Sequence, residues 1–432
     1  MKSEKAALKF GVATASAQIE GGAVGSNWNH YSDAGKIRDH SNIRRATDHW
    51  NRYEEDIELL DELGIRYYRM SVEWARIEPQ QGQWNPEAIA HYRREIQLMR
   101  DRGIEVLLTL YHFSHPQWFE DRGAFARKEN IPIFLRFVEY TVEALGDLIP
   151  AYCTLNEPNV YAVNCFLFGE WLNEEKKLFK TLRVMSIFAS IHLLSYTKIH
   201  EIYRRHQWGE VKVSLALHLR CFTPEKDNFI DRAGAKLYDR LFQSDFFRAI
   251  TSGRFPFPLR NFSGLKSGCY LDAIAINYYS RGMVHAFRHY DQKGVPHNDL
   301  GWEIYPEGLI RSAESLYNIC PLPIMITENG CCDQDDRFRP RFIYEHVRLL
   351  EESALPITHY YHWCFVDNFE WKEGERPRFG LVACDYETQK RSLKNSALMY
   401  RELIRQGGTS QDIYETYVRG IEYPMKEDSQ PS

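Results

Sequence analysis

Two short apolar stretches end in a glutamate, and these carboxylates are the side chains best placed by type and setting to do chemistry. Residues 322–330, LPIMITENG, run from Ile324, Met325 and Ile326 into Thr327-Glu328 before a turn at Asn329-Gly330. Residues 149–159, IPAYCTLNEPN, repeat the grammar and end at Glu157, followed by Pro158. Three apolar residues rich in β-branching form a run too short for a helix and suited to a strand covered on both faces. A carboxylate at the carboxyl end of such a strand in an α/β barrel is placed for reaction rather than for stability. Pro158 is expected to end the strand ladder and to bias Glu157 toward an extended backbone.

Two carboxyl groups facing each other across a barrel mouth suit cleavage of a glycosidic bond. One protonates the departing oxygen, and the other attacks the sugar carbon or activates water. A separation of about 5–5.5 Å leaves no room for that water, so the second group becomes the nucleophile and configuration is retained. The negative charge of Glu328 favours a proton on Glu157, whereas Arg69 and a hydrogen bond from Tyr279 favour an ionised Glu328.

Strands are expected at residues 10–15, 65–71, 104–110, 151–155, 211–217, 273–276, 324–326 and 357–363. Helical spacing covers 48–63, 85–102, 133–145, 182–205, about 233–250, 343–352 and 395–404. Ser16, Gln18 and Glu20 read as a loop leaving the first strand, with Gln18 a candidate ligand contact. Eight strands alternating with helices, undivided by a linker, predict an α/β fold: a single (β/α)8 TIM barrel with extended βα loops over residues 1–432, its tail mobile from about Met425.

Composition fits that frame. Of 432 residues, 44% are hydrophobic and 26% charged, and the 14% aromatic share, with 10 Trp and 26 Tyr, suits either a large core or platforms for flat-faced ligands such as sugar rings. A net charge of -5 argues against a nucleic-acid groove. Nine cysteines in no CxxC spacing, and an N-terminus without a secretory apolar region, lead to the expectation of a reduced, cytoplasmic protein with no membrane segment. No HExxH or paired HxH occurs, so neither metal nor cofactor is expected.

The chain resembles glycoside hydrolase family 1, the retaining β-glycosidases built on a TIM barrel. The likeness rests on TLNEPN around Glu157 and ITENG around Glu328, supported by FGVATASAQIEG at 10–21, YRMSVEWARI at 68–77, residues 277–280, HWCFVDNFEW at 362–371 and Arg378-Phe379-Gly380. It implies Glu157 as acid/base, Glu328 as nucleophile and Asn156 as partner of the sugar 2-hydroxyl. It further implies that Gln18, His112, Glu370 and Trp371 grip other hydroxyls, that Trp363 stacks on the ring and that Phe379 forms a wall, with Arg69, Asn277 and Tyr279 in support. The chain departs from many relatives at His112-Phe113-Ser114-His115-Pro116, at 166–171 and at 26–45, which leaves the leaving-group preference open.

Glu370 stands where phospho-sugar-specific relatives carry a smaller residue and a basic pocket. A carboxylate there repels phosphate, so unphosphorylated sugars are expected. The implied partner is a small β-glycoside or oligosaccharide, most of all a terminal β-glucoside, with β-galactosides and β-fucosides next. A transglycosylating enzyme, a catalytically silent sugar-binding barrel and a metal-dependent hydrolase are the competing readings, and oligomeric state is left open.

Overall fold

In the computed structural model, which describes residues 7–173, 175–290 and 292–425, eight parallel strands close into a barrel. Numbering the barrel strands alone, β1 is Lys9–Ala13, β2 Tyr67–Ser71, β3 Glu105–Thr109, β4 Ala151–Asn156, β5 Lys212–Pro224, β6 Ile274–His285, β7 Ile324–Asn329 and β8 Ile357–Trp363. Each strand pairs with its sequence neighbours, and β8 returns to β1 with Val12 opposite His362. β1 to β4 and β7 to β8 consist largely of buried residues because helices cover them outside and side chains fill the barrel inside. Tyr400, on the helix Asn395–Gln406, donates to Gly11 O at 2.6 Å and ties that helix to the barrel wall.

Four differences from the sequence expectations bear on the site. β5 and β6 run past the barrel rim as a paired extension, Cys221 to Pro224 against Arg281 to Val284, whose half-polar composition conceals strand continuity. Ser16–Ile19 forms a helical turn rather than a loop. Glu157 is not extended: it is left-handed, with φ 42° and ψ 55°, and caps a helix, Pro158–Phe166, that was not among the expected ones. Proline disfavours the right-handed helical region for the residue before it and itself suits a first helical position. Because the Glu157 N–H reaches Ala216 O on β5 at 2.8 Å, the backbone takes the left-handed alternative. The fourth difference is a helix at Glu307–Tyr317, before β7, that the spacing did not suggest.

The helix Leu178–His206 is long and apolar enough to cross a membrane by length and composition, yet its most apolar stretch is largely buried. It packs on the helices Ile131–Leu145 and Pro158–Phe166. Beyond Met425, the tail expected to be mobile lies outside the described residues, as do residues 1–6.

Pairing slips out of register where the strands meet the rim: between Cys153 and Asn156, between Ile276 and Asn277, and between Ile326 and Asn329. Such irregularities turn side chains that strict alternation would aim elsewhere. Gly330 follows directly, and a Cβ there would overlap the carbonyl oxygen of Trp363. Gly330→Ala is therefore expected to cost about 1–3 kcal/mol in chemical denaturation and, by displacing the neighbours of Glu328, to lower kcat/KM by about tenfold or more.

Candidate active site

Glu157 and Glu328 leave the ends of β4 and β7 and border one cavity of about 470 Å³ at the carboxyl end of the barrel. Both are more than nine-tenths buried. The links between them are short. Asn277 Nδ2 donates to Glu157 Oε1 at 2.9 Å, and Arg69 Nη1 donates to Glu328 Oε1 at 2.6 Å. Arg69 Nη2 donates to Asn156 Oδ1 at 2.6 Å, and Asn277 Nδ2 reaches the same oxygen at 3.0 Å. Thr327 Oγ1 donates to Asn277 Oδ1 at 2.7 Å, which fixes that amide's orientation. One buried guanidinium and two amides thus join the ends of β2, β4, β6 and β7.

Asn156 has its oxygen committed to two donors, so its Nδ2 faces His112 Nε2 at 2.9 Å as a donor. Burial, reinforced by Arg69, holds the His112 imidazole well below its usual range and keeps it neutral. With Nε2 accepting, the proton resides on Nδ1, which has no partner among the described residues. His112 is thereby prepared as a donor toward a ligand hydroxyl.

Tyr279 OH donates to the second oxygen of Glu328 at 2.7 Å. Burial nevertheless raises Glu328 to about 7 against the pull of Arg69, with Glu157 adding to the rise and Tyr279 opposing it. Burial thus works against the ionised Glu328 that Arg69 and Tyr279 favour, an effect the sequence reading did not weigh. Burial raises Glu370 further, to about 8, with Glu328 and Glu157 contributing. The repulsion of phosphate expected of Glu370 grows as this group ionises and is weaker at neutral pH than that of an ordinary carboxylate.

Of the remaining predicted residues, Trp363, Trp371 and Phe379 border the same cavity, and Gln18 lies behind Glu370 without bordering it. Trp363 and Trp371 each lie 5.9 Å from the His112 ring with interplanar angles of 29° and 24°, and Trp371 packs on buried Trp28 at 4.9 Å. Phe379 stands 5.9 Å from Trp302 and 6.5 Å, edge-on, from Tyr279. Gln18 is fully buried against the 368–370 loop, with Nε2 donating to Phe369 O at 2.7 Å and reaching Glu370 Oε2 at 3.4 Å. Its Oε1 has no partner among the described residues.

The family model for glycosyl hydrolase family 1 matches residues 5–271 and 273–409. The chain belongs to that family. It is 30% identical to beta-glucosidase A of Acetivibrio thermocellus, covering 92% of this chain and 97% of the relative, and 31% identical to a beta-glucosidase of Agrobacterium sp., covering 91% and 94%. Among solved structures, a beta-glycosidase from Pyrococcus horikoshii superposes with a TM-score of 0.87 at 32% identity over 95% of this chain and 96% of that one. A beta-glucosidase from Thermotoga maritima in complex with glucoimidazole gives 0.86 at 27% identity over 95% and 100%.

Within this family 1 hydrolase, two residues at the site escaped the sequence reading. His218, on β5 opposite Asn277, places Nδ1 3.0 Å from Glu157 Oε1 and stacks on Tyr279 at 5.9 Å. Trp302 borders the cavity from a loop. A single histidine in a strand and a single tryptophan in a loop carry no spacing signal. Among the described residues one trio of metal-type ligands converges, Glu225, Asp231 and His285, within 4.8 Å. None borders the cavity, and each is engaged: His285 with Glu225 at 2.7 Å, and Asp231 with the amides of Lys226 and Ala286.

The Arg69 contact makes a direct prediction. An NMR titration of ¹³C-labelled glutamate, with Glu328 assigned through Glu328→Gln, is expected to place Glu328 near pH 7. Removing the cation in Arg69→Met raises that midpoint by about 1–3 pH units.

Proposed function

We propose that the protein is a retaining exo-β-glycosidase that releases terminal unphosphorylated β-linked sugars, β-glucosides before β-galactosides or β-fucosides. The observation that carries this reading is the pair of buried glutamates on one cavity, joined through Asn277 and Arg69. Glu328 attacks the anomeric carbon as Glu157 gives its proton to the departing oxygen, leaving the sugar esterified to Glu328 and Glu157 ionised. Water then enters, Glu157 takes its proton, and the hydroxide equivalent cleaves the ester from the opposite face. Two inversions give net retention. Arg69 and Tyr279 hold the two oxygens of Glu328, which aligns the attacking carboxylate.

Several features support the choice of a terminal sugar. Trp371 borders the cavity beside His112 and is backed by Trp28, and a rigid aromatic wall there suits one ring better than a continuing chain. His112 and Glu370 face the cavity with hydrogen-bonding groups, and the indole of Trp363 offers a flat face for a ring's C–H bonds. The relatives named as β-glucosidases, one of them solved with glucoimidazole, favour glucose as the first sugar to try.

The test combines stereochemistry with leaving-group dependence. Proton NMR of p-nitrophenyl β-glucoside hydrolysis is expected to show the β-anomer first, and Glu328→Gln to abolish turnover. Glu157→Gln is expected to slow methyl β-glucoside by about 10²–10⁴-fold but β-glucosyl fluoride far less, because fluoride departs without a proton. Formation of the α-anomer first, or full activity in Glu328→Gln, contradicts the mechanism.

A further inference from the structure

The cavity has two chemically different ends, and the carboxylates stand where they meet. On the polar side lie His112, Glu370 and the indoles. On the other side, Val163 and Leu167 continue from the helix that Glu157 caps, and Leu182, Met185, Phe222 and Phe242 complete the wall. Phe168 and Leu178, each about half exposed, extend the apolar lining to the rim. An atom that receives a proton from Glu157 therefore carries its substituent along this surface.

Several polar groups on this wall are already committed. Tyr238 OH donates to Phe287 O at 3.0 Å, Thr181 Oγ1 to Lys177 O at 3.2 Å, and Arg220 Nη1 meets His289 Nε2 at 3.1 Å. Apart from the amide of Asn164, a second sugar ring placed here would lose water from several hydroxyls and regain few partners, which costs binding energy for every group left unpaired. An apolar substituent loses nothing polar and gains from burial.

We infer that the leaving-group site of this protein selects an extended apolar aglycone, an alkyl chain in its simplest form, over a second sugar. This inference rests on the β-glycosidase reading above and names the substrate class of that same site. Leu182 and its apolar neighbours set the specificity without touching the reacting atoms.

The experiment compares kcat/KM for methyl, hexyl and octyl β-glucoside, below the micelle threshold, with that for cellobiose, using p-nitrophenyl β-glucoside as a control for glycosidase activity. A fully buried methylene is worth about fourfold, so a rise of at least about thirtyfold is expected from methyl to octyl, with octyl β-glucoside cleaved better than cellobiose. Leu182→Gln is expected to lower the octyl-to-methyl ratio by about tenfold, a ratio that general loss of folded protein leaves unchanged. A flat alkyl series, or a preference for cellobiose, while the p-nitrophenyl glucoside is cleaved, overturns the apolar site and leaves the glycosidase reading standing. Failure to cleave the p-nitrophenyl glucoside removes both.

Discussion

The buried guanidinium of Arg69 is the interaction on which the site depends. A cation taken wholly out of water is sustained only by close, well-oriented partners. Arg69 has them: the carboxylate of Glu328, the amide oxygen of Asn156, the hydroxyl of Thr109 at 3.2 Å and the carbonyl of Thr327 at 3.2 Å. Losing any one leaves charge or dipole unbalanced in a medium that solvates it poorly. The three strand ends that supply these groups, β3, β4 and β7, are consequently held in a common arrangement with β2, which carries Arg69. The same contact opposes the burial that would otherwise keep Glu328 protonated, so structural and electronic roles reside in one side chain.

The barrel provides the ends, and its irregularities aim them. A strictly alternating ladder would send adjacent residues to opposite faces, yet Asn156 and Glu157 both serve the site, as do Thr327 and Glu328. The slips in register near Asn156, Asn277 and Glu328, together with the left-handed backbone at Glu157, reconcile these demands. A left-handed residue other than glycine costs about 1–2 kcal/mol. Here the cost is offset by the bond from Glu157 N–H to Ala216 O and by the helix that begins at Pro158. That helix also runs from Glu157 along the apolar lining of the cavity, so in the proposed function one element serves both the acid and the leaving group.

The barrel was legible in sequence because buried parallel strands must be nearly continuous in apolar residues and because each ends abruptly in polar ones. The two glutamates stood out for the same reason. Glu157-Pro158 was misread because proline's restriction on the preceding residue excludes one backbone region without selecting among the others. The extensions of β5 and β6 were invisible because strands beyond the rim lose the apolar run that marks those inside. His218 and Trp302 reach the site through tertiary placement alone. The charge states of Glu328 and Glu370 lay still further from the sequence, since they depend on how completely burial removes water from carboxyl groups only a few side chains apart.

The central claim is that Glu328 carries the sugar between two displacements. Incubation with a 2-deoxy-2-fluoro-β-glucoside bearing a good leaving group, which slows hydrolysis of the intermediate, followed by peptide mass mapping tests it most directly. One fluoroglucosyl group on the peptide containing Glu328, released when the protein resumes turnover, is the predicted result. A label on Glu157, or undiminished turnover of the fluoro sugar with no label on any glutamate, contradicts it.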